Sequence, residues 1–299
     1  MTQQQRQALD ELLRHGPLDV GGDIAEQRTI FHDMIASIPL PEDVSAKQDE
    51  LGGVPVVIVE TSGLEDTADV LLYFHGGAYA LGSAPDSVGL AADVVRRVGA
   101  RAVSVDYRLA PEHPFPAAVE DAVAAYRALL DQGVPSTRIA FVGESAGGGL
   151  VMACLVAVKD AGLPQPAAAA VFSPWADLTL SGASIAGKAA LDPALTPQAL
   201  RTRARDYLGD QDPATVLASP ILADLSGLPP LLVQAGSHEI LLDDAVRLAA
   251  RAAGQDVRVE LQVWPEVPHV FQSFAAILDE ADQALNAAAA FIRHNWADR

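Results

Sequence analysis

The chain has 299 residues, half of them apolar, and carries 39 Asp and Glu against 20 Lys and Arg, a net charge of −19. That length accommodates one large α/β domain with a substantial core, and the acidic excess argues against nucleic acid and anionic membrane as partners, since both are bound through Lys and Arg clusters. A single cysteine, Cys154, excludes an intrachain disulfide and a cysteine-rich metal site.

The start, Met1-Thr2-Gln3-Gln4-Gln5-Arg6, leads into polar residues rather than the apolar segment of a secretory signal. No run reaches the roughly 18 apolar residues of a membrane span. A cytoplasmic protein is the expectation. The first fifty residues read as helical, with one stripe at Leu9, Leu12 and Leu13 and a second at Ile24, Phe31, Met34, Ile35 and Ile38. Gly16-Pro17 and Pro39-Leu40-Pro41 break them. Apolar, β-branched segments at 54–60, 69–74 and 102–105 predict strands. A helical pattern follows at 121–131, a short strand at 138–142 and a helix at 146–160 that stops at Gly162-Leu163-Pro164. Cys154 falls in that apolar helix, where a buried structural thiol is expected. The alternation resumes with strands near 168–172, 231–235 and 257–263 and helices at 243–253 and 279–297. Strand and helix in turn imply a mainly parallel sheet covered on both faces. The interval 177–218 is too long for a simple crossover and reads as an insertion. With residues 1–48 it would form a helical cap over the carboxyl ends of the strands, where ligands bind in such sheets. The whole of 1–299 is read as one domain.

Gly143-Glu144-Ser145-Ala146-Gly147 sits where the 138–142 strand turns into the next helix. In a G-x-S-x-G turn of this kind small residues flank the serine, and its oxygen projects above the sheet beside a helix N-terminus. A serine hydroxyl is a weak nucleophile, so Ser145 needs a histidine base and an acid that orients it. A second motif, His75-Gly76-Gly77-Ala78-Tyr79, follows the strand ending at Phe74. The N–H groups of Gly76 and Gly77, with that of Ala146, are the expected oxyanion donors, and Ala78 is an alternative. His75 is expected to fix the loop rather than to act as a base.

With these two motifs in place, the chain resembles the hormone-sensitive-lipase-like, or family IV, branch of bacterial esterases and lipases within the α/β-hydrolases. The segments 106–118 (DYRLAPEHPFPAA), 173–178 (SPWADL) and 218–220 (ASP) are similar to signatures of that family. The match runs from about Val54 to the C-terminus. The resemblance implies an α/β-hydrolase fold, a Ser-acid-His triad, an H-G-G oxyanion loop and a cap built from the N-terminus and the insertion. Arg108, Glu112 and Asp121 are expected to be ion-pairing or loop-anchoring groups.

In this fold the triad histidine follows the acid, in a loop after the last strand, which points to His269. The acid is expected just after the 231–235 strand, in Gly236-Ser237-His238-Glu239-Ile240-Leu241-Leu242-Asp243-Asp244. The family usually has Asp-Pro-Leu three residues beyond the glycine, and Glu239-Ile240-Leu241 stands there. Glu239 is the first choice, with Asp243 and then Asp244 as rivals; the losing carboxylates would begin the next helix. Ala78 replaces a usual third glycine, so its donor role depends on an ordinary backbone there. Glu144 replaces the aspartate common before the nucleophile.

The implied reaction is hydrolysis of a small-molecule ester with a short to medium acyl chain, or of a lactone, through an acyl-enzyme and without metal or cofactor. Phe31, Met34, Tyr79, Leu178 and Tyr207 are candidates for the substrate pocket, joined by Ile35, Leu180, Leu195 and Leu208; apart from Tyr79, all of these could equally be ordinary cap core. An inactive small-molecule-binding member of the fold, or an amidase or peptidase with the same triad, are the rival readings. Association is left open, with a homodimer as the default.

Overall fold

The structure, a computed structural model, describes residues 2–37, 40–64 and 67–297. Met1 and the predicted positions Ile38 and Pro39 lie outside them. Eight strands form one sheet in the order β1-β2-β4-β3-β5-β6-β7-β8: β1 Val44–Leu51, β2 Val54–Thr61, β3 Val70–Phe74, β4 Arg101–Val105, β5 Ile139–Glu144, β6 Ala168–Phe172, β7 Leu231–Gly236 and β8 Val259–Trp264. From β4 to β8 every neighbouring pair is parallel, whereas β1 and β2 run antiparallel at one edge. The central strands β3, β5, β6 and β7 are buried along their full length. That is why they read as unbroken apolar runs rather than alternating ones.

Strand β1 corrects the helical reading of the first fifty residues. Its sequence, VSAKQDEL, is mostly polar and six of its eight side chains are exposed. Hydrogen bonding to β2 defines it, through a hairpin turning on Gly52 and Gly53, both at positive φ. A search for buried apolar periodicity is blind to such an edge strand. The N-terminal helices therefore stop short of residue 48: α1 is Thr2–Arg14 and α2 is Ile24–Ala36.

On one face of the sheet α4 (Ala117–Asp131), α5 (Ala146–Asp160) and α8 (Leu242–Ala253) pack into the larger core with residues such as Tyr126, Leu150 and Leu248. On the other face α3 (Val88–Val98), which the sequence reading did not anticipate, packs with α9 (Asp279–Ala297) through Val94, Val95, Leu285 and Phe291. Cys154 is wholly buried in α5, and burial pushes its thiol far above the usual range. No helix among the described residues is long and apolar enough to cross a membrane.

The insertion carries α6 (Ser184–Gly187) and α7 (Pro197–Leu208). The N-terminal segment is tied to it: Arg203 donates to the Gly22 carbonyl at 2.8 Å and Arg14 to that of Leu191 at 2.9 Å. Helix α1 lies against the segment after β8, with Leu9 buried among Val267, Phe271 and Leu278. Leu12, the middle of the predicted stripe, is exposed. Arg28 of α2 donates to the carbonyls of Ala80 and Ala110 and forms a two-point pair with Glu112 at 2.7 and 2.8 Å. Arg108 pairs with Asp121 and Glu120, the anchoring roles expected of these charges.

Candidate active site

Parallel strands β3, β5, β6, β7 and β8 lie side by side, and the chain leaving the carboxyl end of each contributes to one site. At the end of β5 the backbone reverses into α5 with Ser145 at φ 56°, ψ −122°. A serine tolerates this strained conformation only where its surroundings fix it. Here the Ser145 N–H donates to the Phe172 carbonyl at 2.9 Å, and the Ser145 carbonyl accepts from Gly149 and Trp175. The turn is so close to β3 that a Cβ on Gly147 would stand 2.0 Å from the Phe74 carbonyl oxygen. Glycine at 147 is a steric requirement.

His269 follows β8, and its Nε2 lies 2.9 Å from Ser145 Oγ. Its Nδ1 lies 3.1 Å from Oε2 of Glu239, which follows β7. The geometry fits one tautomer, in which Nδ1–H donates to the carboxylate and Nε2 accepts the serine proton. Glu239 is fully buried; burial pushes its carboxyl up, while the hydrogen bond from His269 and the nearby Ser173 hydroxyl pull it back. Neither rival carboxylate is paired with His269. Asp243 accepts the Ser184 N–H at 2.9 Å, and Asp244 accepts those of Ala176 and Asp177 at 3.0 and 2.9 Å. Both stand in the first turn of α8, where negative charge is favourable.

The loop after β3 passes beside the serine, since a Cβ on Gly76 would lie 3.2 Å from that of Ser145. One expected donor must be reassigned. The Gly76 N–H donates to Oε1 of Glu144 at 2.8 Å, so it is already spent. Tyr73 donates its hydroxyl to the other oxygen of Glu144 at 2.6 Å, and burial pushes this carboxyl up to about 7. The N–H groups that remain for an oxyanion are those of Gly77, Ala78 and Ala146. Ala146 opens α5, so its N–H is one of those a helix leaves without an internal acceptor. Gly77 takes φ 108°, and a Cβ there would meet the Leu81 carbonyl oxygen at 2.1 Å. Ala78 does not keep an ordinary backbone: its φ is 54°, so the alanine adopts the left-handed conformation that a third glycine would take more easily.

His75 is buried, stacked on Tyr107 with ring centroids 4.2 Å apart, and its Nδ1 lies 2.7 Å from the Gly76 carbonyl oxygen. Burial lowers its pKa, which suits a neutral loop-fixing ring. The candidate pocket residues divide. Tyr79, Leu178 and Tyr207 are at most 3% exposed and belong to the larger core, with Tyr79 stacked on Tyr207 at 3.8 Å between centroids. They pack the insertion against the loop after β3 and present almost no surface, which favours core over pocket wall for them. Phe31 is half-buried, close to Gly82 after the oxyanion loop, and Met34 is exposed.

Two residues escaped the sequence reading. Ser173, at the end of β6, accepts the Val270 N–H at 3.0 Å, beside His269, and turns to Glu239. It opens the SPWADL segment, so a signal was present. Asp192, in the insertion, accepts the Ile240 N–H at 2.8 Å, next to Glu239, and nothing in the sequence around it marked it out.

Known proteins resemble this chain at the level of fold and family. Residues 71–273 match a family model described as an alpha/beta hydrolase fold. An acetyl-hydrolase of Streptomyces hygroscopicus is 48% identical over 223 residues, 75% of each chain. A putative acetyl-hydrolase, LipR, of Mycobacterium tuberculosis is 34% identical over 262 residues, 88% of this chain and 84% of the relative. The crystal structure of an esterase from the bacterial hormone-sensitive lipase family superposes with a TM-score of 0.94 at 42% identity, covering 98% of both chains. The chain thus belongs to the α/β-hydrolase family, within its hormone-sensitive-lipase-like group of bacterial esterases.

Proposed function

We propose that this protein is a serine carboxylic-ester hydrolase in which Ser145 is the nucleophile, His269 the general base and acid, and Glu239 the orienting carboxylate. The observation that carries the reading is the unbroken chain of hydrogen bonds from Glu239 through His269 to Ser145, 3.1 and 2.9 Å long, on a strained strand-to-helix turn. Ser145 Oγ attacks the ester carbonyl while its proton passes to His269 Nε2. The tetrahedral oxyanion is held by the N–H groups of Gly77, Ala78 and Ala146. His269 returns the proton to the departing alcohol, leaving an acyl-enzyme. Water then attacks, His269 taking its proton and giving it back to Ser145 as the acid leaves. Glu239 keeps Nδ1 protonated throughout and stabilises the imidazolium.

Small acyl groups are the proposed substrates. The names of the acetyl-hydrolase relatives support this. A reducing, cytoplasmic setting is in keeping with the single buried thiol. The test is release of p-nitrophenol from esters graded by acyl length, beside lactones and matched anilides. Activity should be highest on acetate and butyrate esters, and Ser145→Ala should lower kcat by on the order of 10⁶. Retained turnover in that variant would remove Ser145 from the mechanism, and lactones outpacing every open ester would reassign the substrate.

A further inference from the structure

The loop carrying Glu239 is irregular, and the residue just beyond it, Ile240, is held by the insertion at both its N–H and its carbonyl. The Ile240 N–H donates to Oδ2 of Asp192 at 2.8 Å, and the Ile240 carbonyl accepts from the Ser184 hydroxyl at 2.7 Å. Ser184 Oγ in turn accepts the Asp243 N–H at 2.9 Å, and the Ser184 N–H returns to the Asp243 carboxylate at the same distance. Asp192 and Ser184 are both buried. We infer that Asp192, with Ser184 beside it, is a positioning residue for the triad: the insertion acts through the Ile240 peptide to aim Glu239 at His269.

Three physical points support this. The orientation of the 239–240 peptide sets the direction in which the Glu239 side chain leaves the backbone, and catalysis is sensitive to displacements near 1 Å. Asp192 also does more than its local turn requires. Its Oδ1 already accepts the N–H groups of Ala194 and Leu195 at 2.9 and 2.8 Å, which satisfies the turn, while Oδ2 reaches 48 residues along the chain to Ile240. Finally, the carboxylate is costly where it stands. Burial pushes it up, and it faces Glu239, another buried carboxyl that it pushes up in turn. Three backbone N–H groups and the nearby imidazole offset that cost, so the group is retained at a place where a neutral side chain would be cheaper.

The inference rests on Glu239 being the triad acid, and the test keeps the two apart. Asp192→Asn is the selective variant, because its amide oxygen can still serve the 194–195 turn while its NH₂ would oppose the Ile240 N–H. Its kcat on p-nitrophenyl acetate should fall by roughly 10- to 100-fold with KM little changed. In a Glu239→Gln background the same substitution should have no further effect, since the side chain through which it acts is already disabled. A wild-type kcat for Asp192→Asn, a change confined to KM, or an equal fold-loss in both backgrounds would overturn the inference. If Asp192→Asn fails to fold, Ser184→Ala takes its place and must show the same kcat loss and the same silence beside Glu239→Gln. Full activity in Glu239→Gln alone would instead sink the triad reading, whereas a crippled Glu239→Gln beside a fully active Asp192→Asn sinks only this one.

Discussion

The two sides of the site are held by different means. Around Ser145 the contacts are backbone against backbone: β5, the elbow, the start of α5 and the loop after β3 approach so closely that Gly77 and Gly147 have no room for a Cβ. Around Glu239 the backbone is an irregular loop, and side chains reaching in from the insertion, Asp192 and Ser184, hold it at Ile240. The nucleophile side is therefore rigid by steric necessity and intolerant of any added atom. The acid side shares one such approach at its root, where a Cβ on Gly236 would stand 2.2 Å from the Val267 carbonyl oxygen, but the loop beyond it is held by polar cross-links and is sensitive to losing an acceptor.

The largest test of that contrast is at the acid. Glu239→Gln should cost about 10⁴ in kcat, by leaving His269 without its orienting carboxylate. Asp243→Asn, whose carboxylate holds only the Ser184 backbone, should stay within a few-fold of wild type. Steady-state kinetics of the two variants decide it, and the reverse order would return the acid to Asp243. On the nucleophile side the smallest possible addition should suffice. Gly147→Ala forces a methyl group into the Phe74 and His75 carbonyls and should destabilise the fold by about 3 kcal/mol, seen as a fall in Tm of roughly 6–12 °C. A wild-type melting curve would mean that β3 and α5 can part without cost.

Glu144 sits where the nucleophile side does depend on a side chain. Its carboxyl holds a proton to about 7 when folded, against 4.5 as an ordinary carboxyl, because burial disfavours the charge. The folded state thus binds more protons than the unfolded one between these values. The stabilisation is full below 4.5 and is lost as pH rises through 7. Glu144→Gln keeps an acceptor for Gly76 N–H and a partner for the Tyr73 hydroxyl without the charge. At pH 8 it should exceed wild type in stability by on the order of 1–3 kcal/mol, with the advantage gone at pH 4.5. Thermal melts across that range read it directly; a gap independent of pH would mean that Glu144 is not the titrating group.

The same contrast explains what could be read from the chain. Gly143 to Gly147 and His75 to Ala78 are legible because the elbow and its neighbouring loop impose their demands within five consecutive residues. His269 was legible from its place after β8. The donor assignment at Gly76 failed because Glu144, 68 residues away, takes its N–H, and no local pattern records that. Asp192 was invisible for the same reason. The central strands announced themselves as apolar runs, whereas β1 did not, since an edge strand with exposed side chains needs only a hydrogen-bonding neighbour. Tyr79 and Tyr207 carried no mark to distinguish a pocket wall from the cap's own core.

The smallest effect concerns how the cap is fastened to the nucleophile side. Arg28 of α2 reaches the Ala80 carbonyl just past the oxyanion loop, and its pair with Glu112 holds that carboxyl down at about 2. Glu112→Gln removes the charge and leaves the contacts of Arg28 with the backbone in place. More than half of the Glu112 side chain is open to solvent, so screening limits the loss to about 0.5 kcal/mol at pH 7. Because the folded carboxyl titrates below its unfolded value, that stabilisation is present above about 4.5 and fades as pH falls toward 2. The melting temperatures of variant and wild type should differ by a degree or two at neutral pH and converge in acid, with kcat on p-nitrophenyl acetate unchanged. A fall in kcat would show instead that the oxyanion loop, like the acid loop, takes its alignment from the cap, and the two sides of the site would then be less different than their packing implies.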